Sequence, residues 1–136
     1  MTTRTEAIKR DMELIKEKQL PIMLTYKPPP DEKVNFFRTK IIGAISNQVY
    51  TIHMYLPQDY PYSMPVVFVA DPKVKFASSN HQTHYYNNGK CCLMHDSKWT
   101  PETTIIEVWE QTVMWIQGYE AYWASGGKFW GGKEHH

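Results

Sequence analysis

The stretch "YLPQDYPYSMPVVFV", Tyr55 to Val69, decides how this chain folds. It closes one run rich in β-branched and aromatic residues, "NQVYTIHMYLP", passes through a proline-punctuated turn, and opens another, "MPVVFVADP", closed by Asp71-Pro72. Such runs read as strands. A link this short between two strands implies an antiparallel pair.

Upstream, "LPIMLTYKPPP" reads as a strand stopped by three prolines. "VNFFRTKIIGAI" reads as a second strand, turning through the tight hairpin "ISNQ" into the third. Four strands in a row with short connections make a meander. Before them, residues 4–18, "RTEAIKRDMELIKEK", have helical composition. Ile8, Met12 and Ile15 fall on one face, which predicts a surface helix docked by that stripe. After the strands, "TPETTIIEVWEQTVMWIQGYEAYW" predicts a helix with Thr100 as N-cap and Pro101 at its first position. Its apolar residues from Ile105 to Tyr119 cover so much of its surface that it should be mostly buried. Residues 124–136, "ASGGKFWGGKEHH", form a Gly-rich tail whose aromatics Phe129 and Trp130 can dock on the domain or on a partner. The fold class is α+β, with helices packed on one antiparallel sheet in a single domain over residues 1–136.

Composition excludes several functions. Net charge is +1, so nothing marks a nucleic-acid binder. No apolar run is long enough to span a membrane. The charged N-terminus lacks the apolar core of a signal peptide. Two cysteines are too few for a secreted disulfide scaffold, so the expectation is a cytoplasmic protein with reduced thiols. Neither G-x-x-x-x-G-K-[ST] nor G-x-G-x-x-G occurs, and no cofactor is expected.

Chemistry concentrates in "NHQTHYYNNGKCCLMHDSKWTP", Asn80 to Pro101, which holds three histidines and both cysteines. A disulfide between neighbours Cys91 and Cys92 would close a strained small ring. His81-x-x-His84 and Cys92-x-x-His95 offer permissive spacing for zinc. A thiolate nucleophile is another reading: Cys92 has Lys90 and His95 nearby, and Gly89 permits an exposing turn. Two small buried hydrophobes are a third.

At these residues the sequence resembles the ubiquitin-conjugating enzymes. Tyr60-Pro61-Tyr62-Ser63-Met64-Pro65 resembles the family's Tyr-Pro-Phe-x-x-Pro turn. "NNGKCCL" resembles its Asn-Gly-x-x-Cys-Leu active-site segment, and Trp99-Thr100-Pro101 resembles the Trp-Ser-Pro that opens its crossover helix. The order of elements agrees, and the resemblance covers roughly residues 4–122. It departs at Gln82-Thr83-His84, where a histidine replaces the last residue of His-Pro-Asn. It departs again after the Cys-Leu pair, where Met94 and His95 replace an acidic residue, and at the tail, where the family continues in helices. Tandem cysteines make the chain similar to divergent bacterial relatives that stand alone in anti-phage cyclic-oligonucleotide signalling operons.

The resemblance implies acyl transfer through a thioester. It places the nucleophile at Cys92, with Cys91 as an underlying structural thiol or a second nucleophile. His84 is implied as oxyanion donor or base and His95 as a second base. Tyr60, Pro61 and Pro65 are scaffold, and Trp99 packs beside the site. The implied partner is a protein C-terminal tail, that of a cGAS-like nucleotidyltransferase or a ubiquitin-like protein, with either an activating enzyme acting in trans or a donor that arrives already activated. A catalytically silent binding module of the same fold and a zinc-binding adaptor are the alternatives.

Overall fold

Thr3 starts the first helix by a reciprocal bond: its hydroxyl accepts from the Glu6 N–H at 3.1 Å, and the Glu6 carboxylate accepts from the Thr3 N–H at 3.0 Å. Those bonds hold the exposed Glu6 carboxyl below its ordinary pKa. Helix α1 runs Arg4–Lys18 and stops at Gln19, whose backbone is left-handed at φ 54°. In this computed structural model residues 1–26, 35–74, 91, 93 and 98–126 are described.

Four strands follow, β1 (Ile22–Tyr26), β2 (Asn35–Ile42), β3 (Val49–Tyr55) and β4 (Val66–Asp71), and then helix α2 (Ile105–Ala124). The sheet order is β1-β2-β3-β4, antiparallel throughout, as the meander reading expected. Register runs Phe37↔Met54 and Ile41↔Tyr50 across β2 and β3, then Met54↔Val67 into β4. Strand side chains alternate faces, so these pairs share one face. There Phe37, Ile52, Met54 and Val67 are almost fully buried and meet Ile105, Val108 and Ile116 of α2 in one core. On the other face Phe36 is buried by its neighbours, 4.4 Å from the His53 ring and 5.0 Å from Tyr55 between centroids.

Three local expectations change. The buried face of α1 is Ala7, Ile8, Asp11 and Ile15, while Met12 is exposed. A charged residue holds the core position because the fold supplies it with donors. Helix α2 begins at Ile105 instead of Pro101. Thr100 to Thr103 form a turn in which the Thr103 N–H reaches the Thr100 carbonyl at 3.0 Å. The helix start is fixed by the Glu107 carboxylate accepting from the Thr104 N–H at 2.7 Å. The β2–β3 connection is longer than "ISNQ": residues 43–48 bridge the strands, closed by Gly43 N–H to Gln48 O at 2.9 Å, with Asn47 left-handed at φ 61°.

The tip of that connection is held by Glu120 of α2. Its carboxylate accepts from the Ile45 and Ser46 N–H groups at 2.9 and 3.0 Å, from the Tyr50 hydroxyl at 2.8 Å, and from the Ser46 hydroxyl. Gly43 is required beside it: an added Cβ would lie 2.0 Å from Glu120 Oε2. Burial pushes the Glu120 pKa up, but the bonds from Ser46, Tyr50 and Ile45 together outweigh it and leave it below the ordinary 4.5. Burial and the adjacent Glu120 push the Tyr50 phenol well up. A depressed carboxyl stabilises the fold above its unfolded pKa, and that stabilisation disappears as pH falls through the folded pKa. Stability measured by urea unfolding therefore drops below about pH 4.5. Glu120→Gln should be less stable than the parent at pH 7, with the gap closing in acid. A gap that stays constant with pH would contradict this account of Glu120.

Candidate functional site

Only two residues of the Cys91–Leu93 triplet are described, and both face inward. Cys91 is 3% exposed and Leu93 5% exposed, and both belong to the core cluster. The Cys91 N–H donates to the Val67 carbonyl of β4 at 2.9 Å. A backbone bond to the sheet thus fixes Cys91 beside β4.

The chain is secured again at Trp99. Its indole N–H donates to the Pro61 carbonyl at 2.7 Å, and its ring lies 6.1 Å from that of Tyr60. Tyr60 and Pro61 belong to the turn between β3 and β4. There the Tyr60 N–H reaches the Pro57 carbonyl at 3.1 Å, the Tyr62 N–H reaches the Asp59 carbonyl at 2.8 Å, and the Ser63 hydroxyl donates to the Asp59 carboxylate at 2.6 Å. The Tyr60-Pro61 peptide bond is cis. Tyr60, Pro61 and Pro65 are buried, and Trp99 packs on the turn.

Beneath the turn lies Asp11, 0% exposed. Its carboxylate accepts from the Tyr60 hydroxyl, from Arg10 Nε and Nη2, each at 3.2 Å, and from the Ile105 N–H at 3.5 Å. Arg10 also donates to the Pro101 and Thr103 carbonyls at 2.9 and 3.3 Å. Burial pushes the Asp11 carboxyl above its ordinary pKa, with the bonds from Tyr60, Arg10 and Ile105 opposing. Burial and the Asp11 charge push the Tyr60 phenol well up. Sequence reading did not find Asp11. The signal present was an acidic residue at α1 core spacing, one turn from Ile15 and three residues after Ile8.

Cys92, His84 and His95, the other expected site residues, lie outside the described residues, as does His81 of the zinc alternative. Among the described residues no three His, Cys, Asp or Glu side chains gather into a metal cluster. Among them, too, no helix is long and apolar enough to cross a membrane.

Against known proteins, the type II CBASS E2 protein family matches residues 17–136. The chain belongs to that family. Membership gives it a conjugating-enzyme-like role in CBASS, an antiviral system. Solved structures share the fold of this E2 family member at low identity. A ubiquitin-conjugating enzyme E2 from Plasmodium falciparum has TM-score 0.56 and 19% identity over 85% of each chain. The Vps23 UEV, solved in complex with ubiquitin, has TM-score 0.57 and 13% identity over 82% of each chain. Human ubiquitin-conjugating enzyme E2 G1 has TM-score 0.55 and 15% identity, covering 80% of this chain and 90% of its own. At these identities the likeness establishes the fold. No curated protein sequence matches the chain significantly.

Replacing Asp11 tests whether it holds the far side of the site. Asp11→Ala leaves the buried Tyr60 hydroxyl and Ile105 N–H without their acceptor and should cost about 1–3 kcal/mol in urea unfolding. Asp11→Asn, which keeps an acceptor oxygen, should cost less. Faster amide exchange over residues 99–105 should accompany the loss in Asp11→Ala. Unchanged stability would remove Asp11 from this role.

Proposed function

We propose that this CBASS E2 protein carries the C-terminal acyl group of a partner protein as a thioester on Cys92 and passes it to an amine or a second thiol. The partner is a cGAS-like nucleotidyltransferase or a ubiquitin-like protein, and the work is done in the cytoplasm. Attack by the Cys92 thiolate forms a C–S bond at an activated carbonyl. The bond to the activating group breaks, and that group leaves with its electron pair. In the second step the acceptor attacks, the C–S bond breaks, and the thiolate is restored while a base takes the acceptor's proton. A thioester lies uphill from a carboxylate, so the acyl group arrives activated. With no phosphate-binding loop in the chain, an activating enzyme in trans supplies that step.

One observation supports Cys92 over Cys91 as the carrier. Cys91 and Leu93, two residues apart, both turn into the core. Burial removes the Cys91 thiol from an incoming acyl group, which leaves the carrier's role to Cys92, the position that the family motif matches. A nucleophilic thiol requires access, so Cys91 is assigned to support. His84 is assigned to donate an N–H to the oxyanion or to take the acceptor's proton, and His95 is the second base. An imidazole with an ordinary pKa of about 6.5 suits either role.

The test is adduct formation. The protein is incubated with the nucleotidyltransferase, ATP and the activating enzyme, then resolved on non-reducing gels with and without hydroxylamine. The expected adduct is cleaved by hydroxylamine, is absent in Cys92→Ala and persists in Cys91→Ala. His84→Ala should slow its formation or discharge by on the order of 100-fold. An adduct that survives Cys92→Ala, or resists hydroxylamine, would overturn the assignment. Stoichiometric zinc lost together with the fold on chelation would favour the adaptor instead.

A further inference from the structure

At the end of the sheet away from Cys91 lies an open cavity of about 550 Å³, within the range of small-ligand sites. Cys91 contacts β4 at Val67, whereas the cavity borders Pro72 and Lys73, beyond the other end of that strand and about 13 Å away along it. One wall is aromatic and comes from β3 and α2. Tyr50 meets Tyr119 edge-on at 6.0 Å, and Tyr119 meets Trp123 edge-on at 6.5 Å. Trp123 is 49% exposed there. Rings set at such angles accept another planar ring by stacking or by edge contact.

The polar groups of the wall divide into those already used and those left over. The two oxygens of Glu120 accept four hydrogen bonds, the capacity of a carboxylate. The Ser46 hydroxyl donates to Glu120 and accepts from the Gln48 N–H at 3.0 Å, and the Tyr50 hydroxyl donates its one hydrogen bond to Glu120. The Gln48 amide nitrogen donates to the Val49 carbonyl at 3.1 Å, which leaves its second N–H. Lys73 is exposed and, among the described residues, makes no hydrogen bond and no ion pair.

This balance selects the ligand. A cation finds no acceptor, because Glu120, the one acid among the described lining residues, has its lone pairs occupied, and Lys73 repels it. A neutral ring uses the aromatic wall and leaves Lys73 unanswered. A ring bearing one anionic group uses both, with Lys73 and the spare Gln48 N–H as donors. Lys73 follows β4 and Trp123 lies at the end of α2, so separate elements hold the charge and the ring. The Glu120 charge is met by its own four donors, which weakens its opposition to an anion on Lys73.

We propose that this cavity binds a small aromatic anion: a planar ring against Tyr119 and Trp123, with one carboxylate or phosphate group on Lys73 and the Gln48 amide. The site stands apart from the thioester reading, and either can fail alone.

The test is a titration of the full chain followed by amide NMR. The probes are indole-3-acetate and adenosine monophosphate, which carry the anion as carboxylate and as phosphate, beside indole and adenosine, their uncharged counterparts. At least one anionic probe should bind with a Kd of about 1 mM, the affinity open to so small a ligand, and should shift the amides of Ser46, Gln48, Lys73 and Trp123. Which of the two binds distinguishes carboxylate from phosphate. The uncharged counterpart should bind about threefold more weakly, the effect of one exposed charge pair. Lys73→Gln should erase that preference, and Trp123→Ala should weaken both members of the pair, with urea unfolding to check that each variant is folded. Four results would overturn the proposal: no binding of either anionic probe up to about 10 mM, equal binding of the uncharged counterpart, a preference that survives Lys73→Gln, or shifts confined to other parts of the chain.

Discussion

A carboxylate in the core ties this fold together. Asp11 collects donors from three parts of the chain that are distant in sequence: its neighbour Arg10 on α1, the Tyr60 hydroxyl of the β3–β4 turn, and the Ile105 N–H that opens α2. Burying a charge is costly unless donors surround it. The site is therefore stable only when all three parts are in place. A purely apolar contact would tolerate sliding between helix and sheet. Directional bonds do not, and they fix where α2 begins relative to the turn.

That placement carries through to the cysteine segment. The segment is held at Cys91 by β4 and at Trp99 by the Tyr60-Pro61 turn. Both anchors belong to the element pair that Asp11 helps to position. At the other end of α2, Glu120 does for the β2–β3 connection what Asp11 does for the β3–β4 turn. Two buried acids on two helices thus anchor two sheet connections. They respond oppositely to pH. The depressed Glu120 loses its contribution in acid, whereas the raised Asp11 contributes most below its unfolded pKa and less as pH rises through its folded one.

The strands were legible because alternation and proline stops are local signals. "NQVYTIHMYLP" and "MPVVFVADP" contain β3 and β4, and "RTEAIKRDMELIKEK" matches α1 end to end. Family motifs pointed to the cysteine segment, and the turn residues Tyr60, Pro61 and Pro65 with Trp99 sit as scaffold where those motifs implied. What the sequence misplaced depends on distant partners. Met12 looked like core because it is apolar, yet Asp11 is buried since Tyr60 and Ile105 supply donors from elsewhere. Thr100-Pro101 had the chemistry of a helix start, yet Glu107 sets the start at Thr104.

The sequence by itself determined the element order and the antiparallel meander, because periodicity, proline and short connections act between near neighbours. Only the tertiary structure decided that acids at positions 11 and 120 lie in the interior and that Cys91 turns into the core beside β4. A residue's burial is the sum of contacts from elements far away in the chain, and no local pattern encodes which donors will arrive.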